Sequence, residues 1–147
     1  MNDDVQAALE GDADGVHVGQ EDLGVVEARK LLGPDKIIGA SAHNVAEALE
    51  AVRQGADYLG SGAVFGSATK TNVSCLSMEE LKRICAAVSV PVVAIGGISE
   101  ENAGSLAGTG IAGIAVISAI FAAADKREAA ARLRATAERL AERREET

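Results

Sequence analysis

At 147 residues the chain can bury one ordinary core, yet it falls short of the roughly 200 residues that the smallest closed eight-stranded α/β barrels need. A formal net charge of -8 excludes a basic nucleic-acid-binding face, so a phosphorylated small ligand would be held by local donors or a metal. A hydrophobic share of 48% excludes a disordered segment, and no apolar run reaches the roughly 18 residues of a membrane span; with no secretory leader pattern at Met1, a cytoplasmic location is expected.

Residues 4 to 11 carry a short helical pattern stopped by Gly11, and a strand follows from Asp14 to Val18. Helical spacing returns over Gly24 to Leu32, with Val25, Val26, Ala28 and Leu31 on one side and Gly33-Pro34 as the stop. KIIGASA is the next strand. Asn44 as N-cap, with Glu47 three residues on, predicts a capping box for a helix ending at Gln54-Gly55. DYLGSGAV is a glycine-rich strand, and the loop FGSATKTNVSCLS leads to Ser77, the N-cap of a helix to Ala87. PVVAIGGIS reads as a strand, SEENAGSLAGTG as a helical segment, and IAGIAVISAI as a second apolar strand ending at Ser118 before a short helix. From Asp125 onward one long helix has Ala and Leu on one face and Arg and Glu on the other, ending in a charged tail. Cys75 and Cys85 lack a CxxC spacing and are expected to be reduced and structural.

Strand and helix alternate five times with no hairpin signal, which predicts a parallel sheet with right-handed crossovers. The apolar runs predict strands buried on both faces. GADGVHVG, GADYLGSG and GIAGIAVI recur as small-residue helix ends feeding strands, which suits the alike units of a barrel, and the GxGxxG fingerprint of an open doubly wound sheet is absent. The expected fold class is α/β, a partial TIM barrel forming one incomplete domain over residues 1–147, with residues 125–147 as its C-terminal helix and charged tail.

Barrel enzymes place working residues in the loops after the strands. Those loops carry Asn2 and Asp3, Gln20 and Asp22, Ser41 and His43, then Ser67, Thr69 and Lys70, then Gly97, then Ile117 and Ser118. Glycine or serine where each of the last two strands meets a helix makes a phosphate cradle, and a plain tight turn at Gly96-Gly97 is the alternative. Asp3 and Asp22 are either a carboxylate pair for an octahedral Mg2+ that keeps its waters, or Asp3 merely caps the first helix. Lys70 is an oxyanion partner or an ordinary surface lysine. His17, inside an apolar strand, is expected to be packed and hydrogen-bonded, and His43 has no carboxylate spaced to build a nucleophilic triad.

The segments NDD-V-x-x-AL-x(4)-ADGVHVGQEDL, IIGASAHN, GADYLGSGAVF-x(3)-TK, PVVAIGGI and IAVISAI resemble the successive signatures of the thiamine-phosphate synthase family, in family order over residues 2 to about 121. The resemblance implies a (β/α)8 barrel of which about five parallel strands are present, corresponding to strands four to eight. The first three strands and two helices, about 70 residues at ordinary barrel proportions, would be missing, together with the Gln, Arg and Lys of the family's second strand. It also implies a transferase that joins an aminopyrimidine methyl pyrophosphate to a thiazole phosphate, giving thiamine phosphate and pyrophosphate. On that carry-over Asn2 contacts the pyrimidine, and Asp3 and Asp22 bind Mg2+. Ser41 and Lys70 hold the pyrophosphate as the catalytic groups, and Ser67, Ala68, Thr69, Gly97, Ile117 and Ser118 line the thiazole phosphate site. The implied partners are these two small molecules, with neither nucleic acid nor membrane. Gly66-Ser67 stands where the family usually has Pro-Thr, and Ala63 where it often has proline.

A sheet left open in this way is expected to self-associate through its edges and inner face, to recruit its missing part, or to aggregate. The isolated chain is expected to be a poor catalyst or none, with its thiazole phosphate half-site surviving. A non-catalytic phosphate-binding fragment and a thiazole tautomerase, in which a histidine does the work of the metal, are the alternatives.

Overall fold

The computed structural model describes residues 1–66 and 75–145, with side chains described as far as residue 142. Five strands, β1 (Gly15–Val18), β2 (Ile37–Ser41), β3 (Tyr58–Gly62), β4 (Val92–Ile95) and β5 (Gly113–Ala115), form one sheet in chain order. All four neighbouring pairs are parallel, as the absence of hairpin signals predicts. The connections are helices: α1 (Val5–Glu10) precedes β1, and α2 (Val25–Leu32), α3 (Val45–Arg53) and α4 (Met78–Ala87) link the strands through β4. After β5 come the short α5 (Ser118–Phe121) and the long α6 (Lys126–Glu145). No helix among the described residues is long and apolar enough to cross a membrane.

Cap chemistry sets the helix starts. Asp4, Asn44 and Ser77 each accept a hydrogen bond from the backbone N-H three residues on, satisfying donors that have no intrahelical partner. Glu47 does not close the expected capping box on the Asn44 backbone N-H; its carboxylate accepts instead from the His43 N-H, one residue earlier, and from the Asn44 side-chain amide.

The register puts Val16, Val18, Ile38, Ala40, Leu59, Val92 and Ala94 on one face of the sheet, all buried under the helices. Val5 and Ala8 of α1, Ala48 and Ala51 of α3, and Leu81 and Ile84 of α4 complete that core. The other face carries Ile37, His17, Ser41, Tyr58 and Ile95, none of them fully buried, and Ile37 and Ile95 remain 52% and 43% exposed. The prediction of strands covered on both faces is therefore corrected. An apolar run such as VVAI reads the same whether one face or two is covered, and here the helices lie on one side.

Two further expectations are corrected. In α2 the buried residues are Val25 and Ala28, with Leu32 packed against the core, a spacing of three and then four. Val26 and Leu31 project outward at 41% and 48% exposure. Between β4 and β5 the segment read as helical forms only a single 3-10 turn, Ala103–Leu106, because Gly108 and Gly110 adopt positive φ and turn the chain toward β5.

Candidate functional site

The C-terminal ends of the parallel strands form one rim of the sheet, and the described candidates gather there in two groups. At β1, residues before the first helix fold back onto the strand: Asn2 bridges His17 in parallel, the His17 N-H donates to Met1 O, and the Asp3 N-H donates to His17 O at 2.8 Å. Asp3 then takes φ 63, which turns the chain sharply into α1. The cap of that helix is Asp4, so the capping alternative for Asp3 is removed.

Asp22 is drawn back under the same rim by the Gly19 N-H, which donates to its Oδ2 at 2.6 Å. A Cβ on Gly19 would stand 2.9 Å from that oxygen, so a side chain there would push the Asp22 carboxylate from its present place. The two carboxyls meet. Loss of hydration first, then the negative charge of Asp22 and a hydrogen bond between the two side chains, raise the Asp3 carboxyl above its ordinary 3.8, with His17 acting in the opposite direction. Two carboxyls set this close to one another are a fitting seat for a divalent cation, which would relieve their repulsion. Among the described residues no cluster of three or more His, Cys, Asp and Glu exists, so most positions around such an ion would fall to water and ligand oxygens.

Beneath the carboxyls lies a line of side chains that crosses three strands. His17 Nδ1 is 2.9 Å from Tyr58 Oη on β3, and His17 Nε2 is 3.0 Å from Ser41 Oγ on β2. The Gln20 side chain donates to Ser41 O at 2.6 Å, fixing the end of β2. Partial burial lowers the His17 pKa against the opposing pull of Asp3 and Asp22, and the same effect raises that of Tyr58. His17 is thus packed and hydrogen-bonded, as expected. His43 has its ring paired to the Glu47 carboxylate at 2.9 Å, so a carboxylate four residues on does reach it.

The second group lies at β4 and β5. Gly96 and Gly97 have φ 100 and 64, and a Cβ on Gly97 would meet Phe65 O at 2.5 Å. They therefore form a tight turn that requires glycine, whichever of the two expected readings, cradle or plain turn, it serves. With Ile95, Ile98, Ile117 and Ser118 they line a cavity of about 410 Å3. The bonds that open α5 run from the Ile120 and Phe121 N-H groups to Ile117 O, so the Ser118 and Ala119 N-H groups take no part in them.

The structure therefore brings Asp3, Asp22, His17 and Ser41 together, with Asn2 bridged to His17 on the same strand, and separately brings Gly97, Ile117 and Ser118 together. Asp22 also borders another cavity, of about 420 Å3 between α2 and α3, which the second group does not share. Both groups sit on the same rim, β1 and β2 at one side and β4 and β5 at the other. Ser67, Ala68, Thr69 and Lys70 lie outside the described residues. Sequence reasoning missed Tyr58; its signal was the single tyrosine of the chain, set in a glycine-rich strand.

The sequence model of the thiamine monophosphate synthase family matches residues 1–120. Thiamine-phosphate synthase of Clostridium acetobutylicum is 54% identical over 123 residues, covering 84% of this chain and 58% of that protein. The enzyme of the same name from Chloroflexus aurantiacus is 52% identical over 136 residues, covering 92% and 62%. A solved thiamine phosphate pyrophosphorylase from Pyrococcus furiosus superposes with a TM-score of 0.85 at 46% identity, over 95% of this chain and 66% of that one. A solved 3-hexulose-6-phosphate synthase, at 21% identity and a TM-score of 0.65, shares the fold. The chain spans about three fifths of the length of the curated relatives it matches. With the family model covering most of its length and half of the aligned positions identical in these relatives, the chain belongs to the thiamine monophosphate synthase family.

Proposed function

We propose that the chain carries the ligand-binding rim of a thiamine-phosphate synthase, joining an aminopyrimidine methyl pyrophosphate to a thiazole phosphate with release of pyrophosphate. The observation that carries this reading is the placing of Asp3 and Asp22 at the two ends of β1's rim segment, Asp3 by its N-H on His17 O and Asp22 by the Gly19 N-H, near enough for Asp22 to raise the Asp3 carboxyl. The five strands correspond to strands four to eight of an eight-stranded barrel, and family membership supports that numbering.

In this reading Asp3 and Asp22 hold Mg2+, which when bound neutralises charge on the departing pyrophosphate. Ser41 donates to the pyrophosphate, and Lys70 supplies a cation to the same leaving group. Asn2 orients the pyrimidine ring. The backbone of Gly97 and the first turn of α5, with Ser67, Ala68 and Thr69, hold the thiazole phosphate, so that the ring nitrogen faces the carbon it attacks. An electron-rich pyrimidine can carry the cation formed as pyrophosphate leaves, so the protein supplies no covalent nucleophile. The isolated chain is expected to turn over slowly or not at all while retaining ligand binding.

Calorimetric titration tests the assignment. Inorganic pyrophosphate is expected to bind in the presence of Mg2+ and to lose at least tenfold in affinity in Asp22→Ala, whereas thiazole phosphate binding stays within about twofold. Pyrophosphate binding that ignores both Mg2+ and Asp22→Ala would overturn the assignment.

A further inference from the structure

The face of the sheet away from the helices is shaped around two rings. A Cβ on Gly39 would overlap the Tyr58 ring, and a Cβ on Gly60 would stand 2.9 Å from His17 Cε1. Glycine at both positions lets the rings lie against β2 and β3, their centroids 5.4 Å apart, and brings Tyr58 Oη and Ser41 Oγ to opposite nitrogens of one imidazole. We propose that Tyr58 is a positioning residue: its hydroxyl donates to His17 Nδ1, which fixes the proton on Nε2, which in turn donates to Ser41 Oγ and leaves the Ser41 hydroxyl proton pointing to the ligand. This rests on the assignment of Ser41 to the pyrophosphate.

The direction follows from counting donors. A neutral imidazole has one N-H and one acceptor nitrogen. Were the proton on Nδ1, Tyr58 Oη would accept it, and the half-buried phenol hydrogen would have no hydrogen-bond acceptor among the described residues. The Ser41 hydroxyl would then donate inward to Nε2 and have no proton left for an anion. With the proton on Nε2, every donor in the line is used and the last one is offered at the rim. The Gln20 bond to Ser41 O holds the backbone while His17 holds the side chain, so the hydroxyl is constrained from both ends.

Nitrogen-15 imidazole spectra of the full chain read the tautomer directly, because the sequence holds only two histidines and His43→Asn removes the other signal set. The wild-type chain is expected to show His17 with its proton on Nε2, and Tyr58→Phe, which keeps the ring over Gly39, a mixture of tautomers. In Tyr58→Phe inorganic pyrophosphate with Mg2+ is expected to bind roughly threefold to tenfold more weakly, with thiazole phosphate binding unchanged. A proton on Nδ1 in the wild-type chain, a tautomer indifferent to Tyr58→Phe, or pyrophosphate affinity equal in the two proteins would each overturn the inference. A wild-type chain that binds no pyrophosphate would instead remove the functional reading, while the tautomer still decides the direction of the line.

Discussion

At the scale of single residues, the carboxyl pair at β1 makes a prediction about pH. The Asp3 carboxyl is raised from its ordinary 3.8, so its proton competes with a divalent cation, and Mg2+ affinity should fall as pH drops through the raised pKa. For the protein without metal the sign is fixed by linkage: a folded-state pKa above the unfolded one means the folded chain holds this proton more tightly. Its contribution therefore favours folding at acid pH and is lost as pH rises through the raised pKa. Asp22→Asn removes the neighbouring charge and should flatten the pH dependence of Mg2+ binding, measured by titration at pH values on either side of the window. Asp22 was legible as a rim residue because it lies in the loop after β1, and Asp3 because it stands directly before the first helix. The line from Tyr58 through His17 to Ser41 was not, because it joins residues 41 and 24 positions apart that only the parallel register makes neighbours.

At the scale of elements, most of the fold was readable from caps and stops. Asn44 with Glu47, and Ser77 before MEE, announce helices by supplying acceptors for backbone N-H groups, and both act so in the structure. What was not readable was which side of α2 is inward, since Val25 and Val26 are chemically alike and only packing separates them. The segment before β5 was misread because its glycines count little in a search for helical spacing and much in the backbone. One clamp joins several elements. Arg29 on α2 donates to Gly33 O, Lys36 O, Gly55 O and Asp57 Oδ2, tying the end of its own helix to the starts of β2 and β3. Asp57 also accepts from the Ile38 N-H at 2.7 Å. Partial burial alone would raise the Asp57 carboxyl; the Ile38 N-H and Arg29 outweigh it and hold the pKa below the ordinary value. The stability Asp57 gives is thus present above the unfolded-state pKa and lost as pH falls through the depressed one. Arg29→Ala should cost about 1 to 2 kcal/mol in urea unfolding, most of it from the carbonyls left without a donor, since the exposed ion pair is screened. In the β4 turn, Gly97→Ala forces a side chain into positive φ and against Phe65 O. It should cost about 1 to 2 kcal/mol and weaken thiazole phosphate binding at least tenfold, with pyrophosphate binding unchanged.

At the scale of the whole molecule, the dominant feature is a sheet covered by helices on one side. Ile37 and Ile95 on the bare face, with Ile117 and Phe121 at 74% and 69% exposure by the cradle, give water an apolar surface that a net charge of -8 only partly offsets. Sedimentation of the isolated chain should therefore show species heavier than the 14.9 kDa monomer, and Ile95→Lys should shift the population toward monomer; a wild-type chain that is monomeric at all concentrations would refute this. The same geometry carries the central claim, that opposite ends of one strand rim serve two anionic ligands. The strands β1 and β5 are four steps apart, on the order of 19 Å along a flat sheet and less where it curves. Amide chemical-shift mapping tests this most directly, with inorganic pyrophosphate plus Mg2+ in one titration and thiazole phosphate in the other. The account predicts that the first moves Asp3, Gly19, Asp22 and Ser41, and the second moves Gly96, Gly97, Ser118 and Ala119. Shifts at one common set of residues, or none at either end of the rim, would contradict it.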